Sequence, residues 1–404
     1  MIKKIFLTLL FISFNTKSET IIYQKPLKAV CIVPVADLIG FSYKALTPNT
    51  QDQYRKIALS GYKGNLNCVR DHQLLFNETI EILEEHDEEV KINIFNAFVQ
   101  DYATTYWALK ENFINAELLD HTKIPTQIDF RNTNFAQPYT NLVTLILPFK
   151  DSKTDKTYSA GTRFIYKSKD NTSYIIYTYN TELKDFTESI VSKDICLESQ
   201  EVDKSEKIKK FVKLLKLWTN LEDNQIVPFA WGGCSLIDKV KNNEFVLTDG
   251  TNLNNEPIQH WTREELTRKP YSGFDASGLI LRAAQICEIP YFYKNTVTAS
   301  KFLKSLTPED TLQLGDIIWF AGYLAAISDI KNNLVIGGRG YQHGYGKIIE
   351  QPLNHLFKDV NNFSQLLEAY YNQTPLENID KNGQDNRTVK EFKILKLESC
   401  WKTI

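Results

Sequence analysis

Three glycine-bearing segments in the second half of the chain constrain its fold more than any other feature. They are PFAWGG (Pro228 to Gly233), GFDASG (Gly273 to Gly278) and LGDIIWF (Leu314 to Phe320). The paired glycines of the first segment predict a tight turn. In the second segment an Asp stands directly before a helical run, where its carboxylate can cap the helix. The third segment predicts the entry into a buried strand.

A helix is predicted just before these segments. Between Asp203 and Leu221 the apolar residues recur at helical spacing, which indicates one buried face. Asp203, with Glu206 three residues later, is typical of a capping box. A further helix is predicted to begin near Ala276.

The first half of the chain has the sequence pattern of short β-strands. AVCIVPVADL, from Ala29, alternates in strand fashion, and Thr79 to Phe95 predicts a hairpin whose acidic tip is EEHDEE. RFIYKSKDNTSYIIYTY predicts a second hairpin with Asp170-Asn171 at its turn. Short strands without a helical period favour two small β-barrels in series.

Composition excludes several classes of protein. At roughly 100–200 residues per domain, 404 residues predict about two to four domains. With 43% hydrophobic and 24% charged residues, the chain is neither disordered nor a multi-span membrane protein. A net charge of −2 provides no overall positive electrostatic potential that would attract nucleic acid. The 6 cysteines form no CxxC pair, and no HExxH pattern indicates a metal, so we expect neither zinc nor a cofactor.

The N-terminus is typical of a secretory signal. Lys3 and Lys4 precede the apolar run Ile5 to Phe14, and small residues at Thr16 and Ser18 form a cleavage site. We therefore expect residues 1–18 to be a signal peptide. The mature protein is then exported to the periplasm or cell envelope, with no membrane span after cleavage.

In their order, the three segments resemble the NlpC family, papain-like cysteine endopeptidases that cut bacterial cell-wall peptides. That family carries PYxWGG, then FDCSG opening a helix, then PGDLxFF before a strand led by the catalytic His. The N-terminal half is similar to two bacterial SH3-like barrels, an arrangement found in γ-D-glutamyl-L-diamino-acid endopeptidases. In that family the barrel can wall one end of the groove and bind the free N-terminus of the peptide.

The resemblance implies an α+β fold class, with two small SH3-like β-barrels followed by a papain-like NlpC domain. The implied domains are a signal peptide (1–18), the first barrel (24–124), the second barrel (125–200), the NlpC domain (203–370) and a C-terminal extension (371–404).

The family's catalytic positions carry other residues in this chain. The nucleophile position is Ala276, and the base position is Tyr323, or Leu324 if the register slips by one. The third polar position falls at Gly337, and the Tyr of PYxWGG is Phe229. A methyl group cannot attack a carbonyl, and Tyr titrates only near about 10. We therefore expect no catalytic residues and a pseudoenzyme.

The scaffold around those positions is retained, so a peptide groove is still expected. Its candidate ligand-binding residues are Phe229, Trp231, Asp275, Ser277 and Tyr323. The expected partners are peptidoglycan stem peptides or muropeptides, or an envelope protein bound by a purely structural adaptor.

The alternative to a pseudoenzyme is an active hydrolase whose nucleophile and base lie at other positions in the chain. Cys234 follows the WGG turn, and His343 lies in RGYQHGYGK, so the two could form a nucleophile–base pair in an active hydrolase. Residues 234–272 form a long excursion between the first two motifs, either a lid over the groove or a surface elaboration.

Overall fold

The computed structural model of the chain describes residues 20–42, 70–98, 104–130, 140–237, 240–241, 272–340 and 343–402. The predicted signal peptide lies outside these residues. None of the described helices is both long and apolar enough to cross a membrane.

The N-terminal part of the chain forms an antiparallel seven-stranded sheet. Its acidic hairpin forms as predicted, with Asp87 at the tip in a left-handed conformation. The strands are β1 (Thr20–Cys31), β2 (Val35–Ile39), β3 (Arg70–Leu75), β4 (Thr79–His86), β5 (Glu89–Asn93), β6 (Thr105–Leu109) and β7 (Phe113–Asn115). Their order in the sheet is β3-β2-β6-β5-β4-β1-β7.

A second antiparallel sheet follows. Its central hairpin is also the predicted one, because Asp170 accepts hydrogen bonds from the backbone N–H groups of Thr172 and Ser173 and closes the turn. The strands are β8 (Leu142–Leu145), β9 (Phe149–Asp151), β10 (Lys156–Tyr158), β11 (Arg163–Lys169), β12 (Ser173–Asn180), β13 (Asp185–Ser192) and β14 (Cys196–Glu198). Five of them form a sheet in the order β13-β12-β11-β8-β14, and β9 pairs with β10.

The predicted fold class, α+β with two closed SH3-like barrels, is wrong. The chain is mostly sheet, with 42% strand and 21% helix. In the described residues both N-terminal sheets are open, because β3 and β7 lie at opposite edges of the first sheet, and β13 and β14 lie at opposite edges of the second. A barrel requires its edge strands to pair with each other, and these do not.

The C-terminal part of the chain is built around a five-stranded antiparallel sheet and a buried helix. The helices are α1 (Lys204–Thr219), α2 (Ala276–Ile286), α3 (Thr296–Phe302) and α4 (Phe363–Tyr371). The strands are β15 (Gln225–Ile226), β16 (Cys234–Ser235), β17 (Val240–Lys241), β18 (Gly273–Phe274), β19 (Ile317–Phe320), β20 (Tyr323–Asp329), β21 (Leu334–Arg339), β22 (Lys347–Pro352), β23 (Leu376–Ile379), β24 (Asp385–Val389) and β25 (Phe392–Leu395). The sheet order is β22-β21-β20-β19-β25, so the predicted C-terminal extension supplies an edge strand.

Both principal helices begin where the capping residues predict. Asp203 accepts a hydrogen bond from the N–H of Glu206 at 2.7 Å, and Asp275 accepts one from the N–H of Gly278. Helix α2 is buried along its whole length and packs against β20 and β21. One apolar core runs from the first sheet through α2 to the last sheet, and a second core lies beside the second sheet.

A buried arginine on α2 joins the parts of the chain. Arg282 is 1% exposed; it donates to the Glu78 carboxylate at 2.8 Å, to the Gln73 carbonyl at 3.2 Å and to the Cys234 carbonyl at 3.0 Å. Gly161, in the second sheet's β10–β11 turn, has φ of +92°, and a side chain there would collide with Arg282. The guanidinium therefore connects the first N-terminal sheet to the C-terminal unit, while the aliphatic stem of Arg282 packs against the turn of the second sheet.

Replacing this arginine should destabilise the whole chain. Arg282→Met leaves the Glu78 carboxylate, 13% exposed, without its ion-pair partner. We expect the free energy of unfolding in urea to fall by about 3–5 kcal/mol, the usual cost of breaking a buried pair. The matched control, Lys209→Met, removes an exposed pair with Glu206 and should change it by less than about 1 kcal/mol. Equal effects of the two variants would contradict this role of Arg282.

Candidate functional site

The WGG turn lies against both the N-terminal sheet and α2. Gly232 has φ of +65°, and a Cβ at this position would collide with the carbonyl of Arg70 in β3. A Cβ on Gly278, in the first turn of α2, would collide with the carbonyl of Gly233. Glycines are needed here because three backbone segments approach one another closely.

Asp275 organises the start of α2. One carboxylate oxygen caps the helix at Gly278 and accepts a hydrogen bond from the Ser277 hydroxyl at 2.9 Å. The other oxygen pairs with the Lys294 ammonium at 2.8 Å, and the Lys294 side chain is 3% exposed. Ser277 was predicted to offer a hydrogen-bond donor to the groove, but the structure directs that donor to Asp275.

The register of β20 and β21 decides which residues face Ala276. A Cβ on Gly338 would lie 3.3 Å from the Ala276 backbone nitrogen, so Gly338 faces the start of α2. Because Ala325 pairs with Gly337, Leu324 lies opposite Gly338 and shares that face. The residues that lie beside Ala276 on this face of the sheet are therefore Leu324 and Gly338.

Tyr323 and Gly337, the positions aligned from the sequence, point to the reverse face of the sheet. A Cβ on Gly337 would collide with the Tyr323 hydroxyl, so the two residues lie together there. The residues aligned from the sequence and the residues that face Ala276 differ by one position along each strand. A shift of one position places a side chain on the other face of the sheet, because successive strand residues point in opposite directions. Tyr323 is thus not placed to line the groove beside Ala276.

Two aromatic side chains lie at the WGG turn. The Phe229 and Trp231 rings meet edge to face with centroids 5.4 Å apart. Phe229 is buried, and its backbone N–H donates to the Gly346 carbonyl, whereas Trp231 is 42% exposed. Trp231 therefore provides the accessible apolar surface at this turn.

Asp71 and Lys294 belong to this site and were missed by the sequence reasoning. Burial raises the pKa of Asp71, and the neighbouring ammonium of Lys294 opposes this increase. The backbone N–H of Gly40 also hydrogen-bonds the Asp71 carboxylate. Arg70, the preceding residue, contacts the WGG turn, so the start of β3 forms one wall of the site. No sequence spacing signals this, because β3 lies far from α2 along the chain.

The alternative pair, Cys234 and His343, is held in two different environments. Cys234 is fully buried, and its thiol lies 3.6 Å from the Gly278 carbonyl. Burial raises the pKa of that thiol. His343 bonds through its backbone to Gly340 and Lys381. Burial, reinforced by the charges of Arg339 and Arg387, lowers the pKa of His343 to about 4.

In the part of the chain that the structure describes, no cluster of three or more His, Cys, Asp or Glu side chains is arranged to hold a metal ion. Of the predicted 234–272 excursion, residues 238–239 and 242–271 lie outside the described residues.

The fold matches solved NlpC/P60 structures. The chain superposes on an NlpC/P60 family protein from Bacillus cereus ATCC 10987 with a TM-score of 0.51 and 16% identity, covering 81% of this chain and 94% of that one. This protein therefore has an NlpC/P60-like fold. NlpC2 and NlpC1 from Trichomonas vaginalis align with TM-scores of 0.31 and 0.30, identities of 12% and 11%, and coverage of 82% and 81% of this chain and 94% and 88% of theirs. No family model and no curated protein sequence matches the chain.

The burial of Cys234 predicts an unreactive thiol. Because the thiolate is the reactive form, and burial disfavours it, iodoacetamide should leave Cys234 unmodified in the native protein at neutral pH. The same residue should react fully in guanidinium chloride, as peptide mass analysis would show. Native labelling of Cys234 as fast as that of an unfolded chain would contradict its placement.

The depressed pKa of His343 predicts a loss of stability in acid. The unfolded chain takes up a proton at about 6.5, whereas folded His343 does so only at about 4. Its stabilising contribution is therefore present above about pH 6.5 and is lost as the pH falls toward about 4. Urea unfolding at pH 7 and pH 5 should show a smaller pH dependence for His343→Gln than for the wild type.

The exposed His355 provides the control for this measurement. His355→Gln should retain the wild-type pH dependence, and the NMR titration of His343 should have its midpoint near about 4. A His343 midpoint near about 6.5 would contradict the burial described above.

Proposed function

We propose that this protein binds peptidoglycan stem peptides without hydrolysing them, in the groove at the start of α2. The observation that carries the proposal is the set of residues at this point: Ala276 opens the helix, and Leu324 and Gly338 face it. Cysteine-type acyl transfer needs a thiolate, an imidazole base and a group that orients the base. These three side chains supply none of them, and a fold alone does not confer activity.

Features that serve binding rather than chemistry remain in place. Trp231 offers an exposed ring beside the buried ring of Phe229, which suits an apolar peptide surface. Asp71 brings a carboxylate from β3 to the same site, which suits the ammonium group of a peptide N-terminus. The proposal places the protein in the periplasm or cell envelope, as its first residues predict.

The test is a calorimetric titration with L-Ala-γ-D-Glu-diaminopimelate, followed by mass analysis of the recovered peptide. We expect saturable heat and intact peptide. Trp231→Ala should weaken binding by about tenfold or more, because exposed aromatic anchors dominate such interfaces. The matched control is Tyr371→Ala on α4, since Tyr371 is 43% exposed and Trp231 is 42% exposed. It should change affinity by less than about twofold.

Two outcomes would contradict the proposal. Cleaved peptide would restore the hydrolase alternative, and Cys234→Ala would then show whether that thiol is the nucleophile. An absence of heat would favour a protein partner in the envelope over a stem peptide.

A further inference from the structure

The reverse face of the last sheet holds a buried guanidinium. Arg339, at the end of β21, is 1% exposed, and one terminal nitrogen donates to the Ile379 carbonyl. Its Cζ lies 5.0 Å from the centre of the Tyr345 ring and 5.7 Å from that of Tyr323. Its Nε is enclosed and has no hydrogen-bond partner among the described residues.

A second guanidinium lies close by. Arg387, on β24, has its Cζ 4.8 Å from the centre of the Phe320 ring and donates to the Ala321 carbonyl at 2.7 Å. Burial and the neighbouring charge of Arg339 lower the pKa of Arg387. The two arginines therefore repel each other across a partly desolvated space.

Among the side chains that the structure describes, no carboxylate forms an ion pair with either guanidinium. The acidic neighbour is Asp380, whose Oδ1 instead closes its own turn by accepting hydrogen bonds from the backbone N–H groups of Asn382 and Gln384 at 2.8 and 2.9 Å. Burying a charge without a partner is costly, and contact with aromatic rings offsets only part of that cost.

Another group beside this space adds a donor. The Tyr323 hydroxyl is enclosed, and the neighbouring Arg339 guanidinium is placed to donate to its oxygen, which leaves the hydroxyl's own O–H as a donor. A set of unsatisfied donors around two cations is complementary to an oxyanion, which guanidinium groups bind through paired hydrogen bonds.

We propose that this face is an anion-binding site, in which Arg339, Arg387 and Tyr323 hold the oxygens of a phosphate or carboxylate group. The site is separate from the groove, because Tyr323 and Arg339 project from the opposite face of the sheet from Gly338. The ligand would fasten the β23–β24 hairpin to the sheet, since both arginines already bridge these elements.

The test is a calorimetric titration of the full chain with inorganic phosphate and, separately, with succinate, at constant ionic strength. We expect saturable binding of at least one anion, and the tighter one identifies the source of the oxyanion. Arg387→Gln, at an exposed position, should weaken it by about tenfold or more, because it removes a charge-assisted hydrogen bond. Tyr323→Phe should weaken it by a smaller factor without lowering the unfolding temperature in the absence of anion.

Lys393→Gln provides the matched control. Lys393 lies on the adjacent strand β25, 5.1 Å from the centre of the Trp319 ring, so its loss removes the same charge and one cation–π contact. The affinity of the Lys393→Gln variant for the anion should stay within about twofold of the wild type, since Lys393 is not one of the three residues proposed to hold the anion. Absence of saturable binding for both anions, or equal weakening by Arg387→Gln and Lys393→Gln, would overturn the proposal and leave the arginines a structural role only.

Discussion

The structure depends on one buried charge, the Arg282 guanidinium. It lies on the central helix α2 and bonds to Glu78, to the backbone of β3 and to the carbonyl of Cys234. Desolvating an arginine costs least when its donors are satisfied in this way. Because those acceptors come from segments far apart in the chain, the interaction sets how the first N-terminal sheet meets the C-terminal unit. The position of β3 beside the WGG turn follows from that arrangement.

The face of the sheet beside the start of α2 carries no ionisable side chain at Ala276, Leu324 or Gly338. All three residues are small or aliphatic, and they lie where α2 begins against the sheet, with Ala276 6% exposed. The capping carboxylate of Asp275 is satisfied by the helix, by Ser277 and by Lys294. The start of α2 is therefore held by its own capping hydrogen bonds and by the ion pair with Lys294.

Local features could be predicted from the sequence, because neighbouring residues determine them. The caps at Asp203 and Asp275 and the turn at Asp170 each depend on side chains that bond within three residues. The open form of the two N-terminal sheets could not be predicted, since sheet order depends on pairings between distant strands such as β2 with β6. Which of Tyr323 and Leu324 faces α2 depends on how β20 packs against that helix, a long-range contact that no local sequence pattern reveals.

The central claim is that the groove binds a stem peptide and leaves it intact. A crystal structure of the protein soaked with L-Ala-γ-D-Glu-diaminopimelate tests it most directly. The account predicts an uncleaved peptide lying along Trp231, with its γ-glutamyl carbonyl beside the Ala276 methyl group. Cleavage products in the groove, or an empty groove with peptide bound elsewhere, would contradict it.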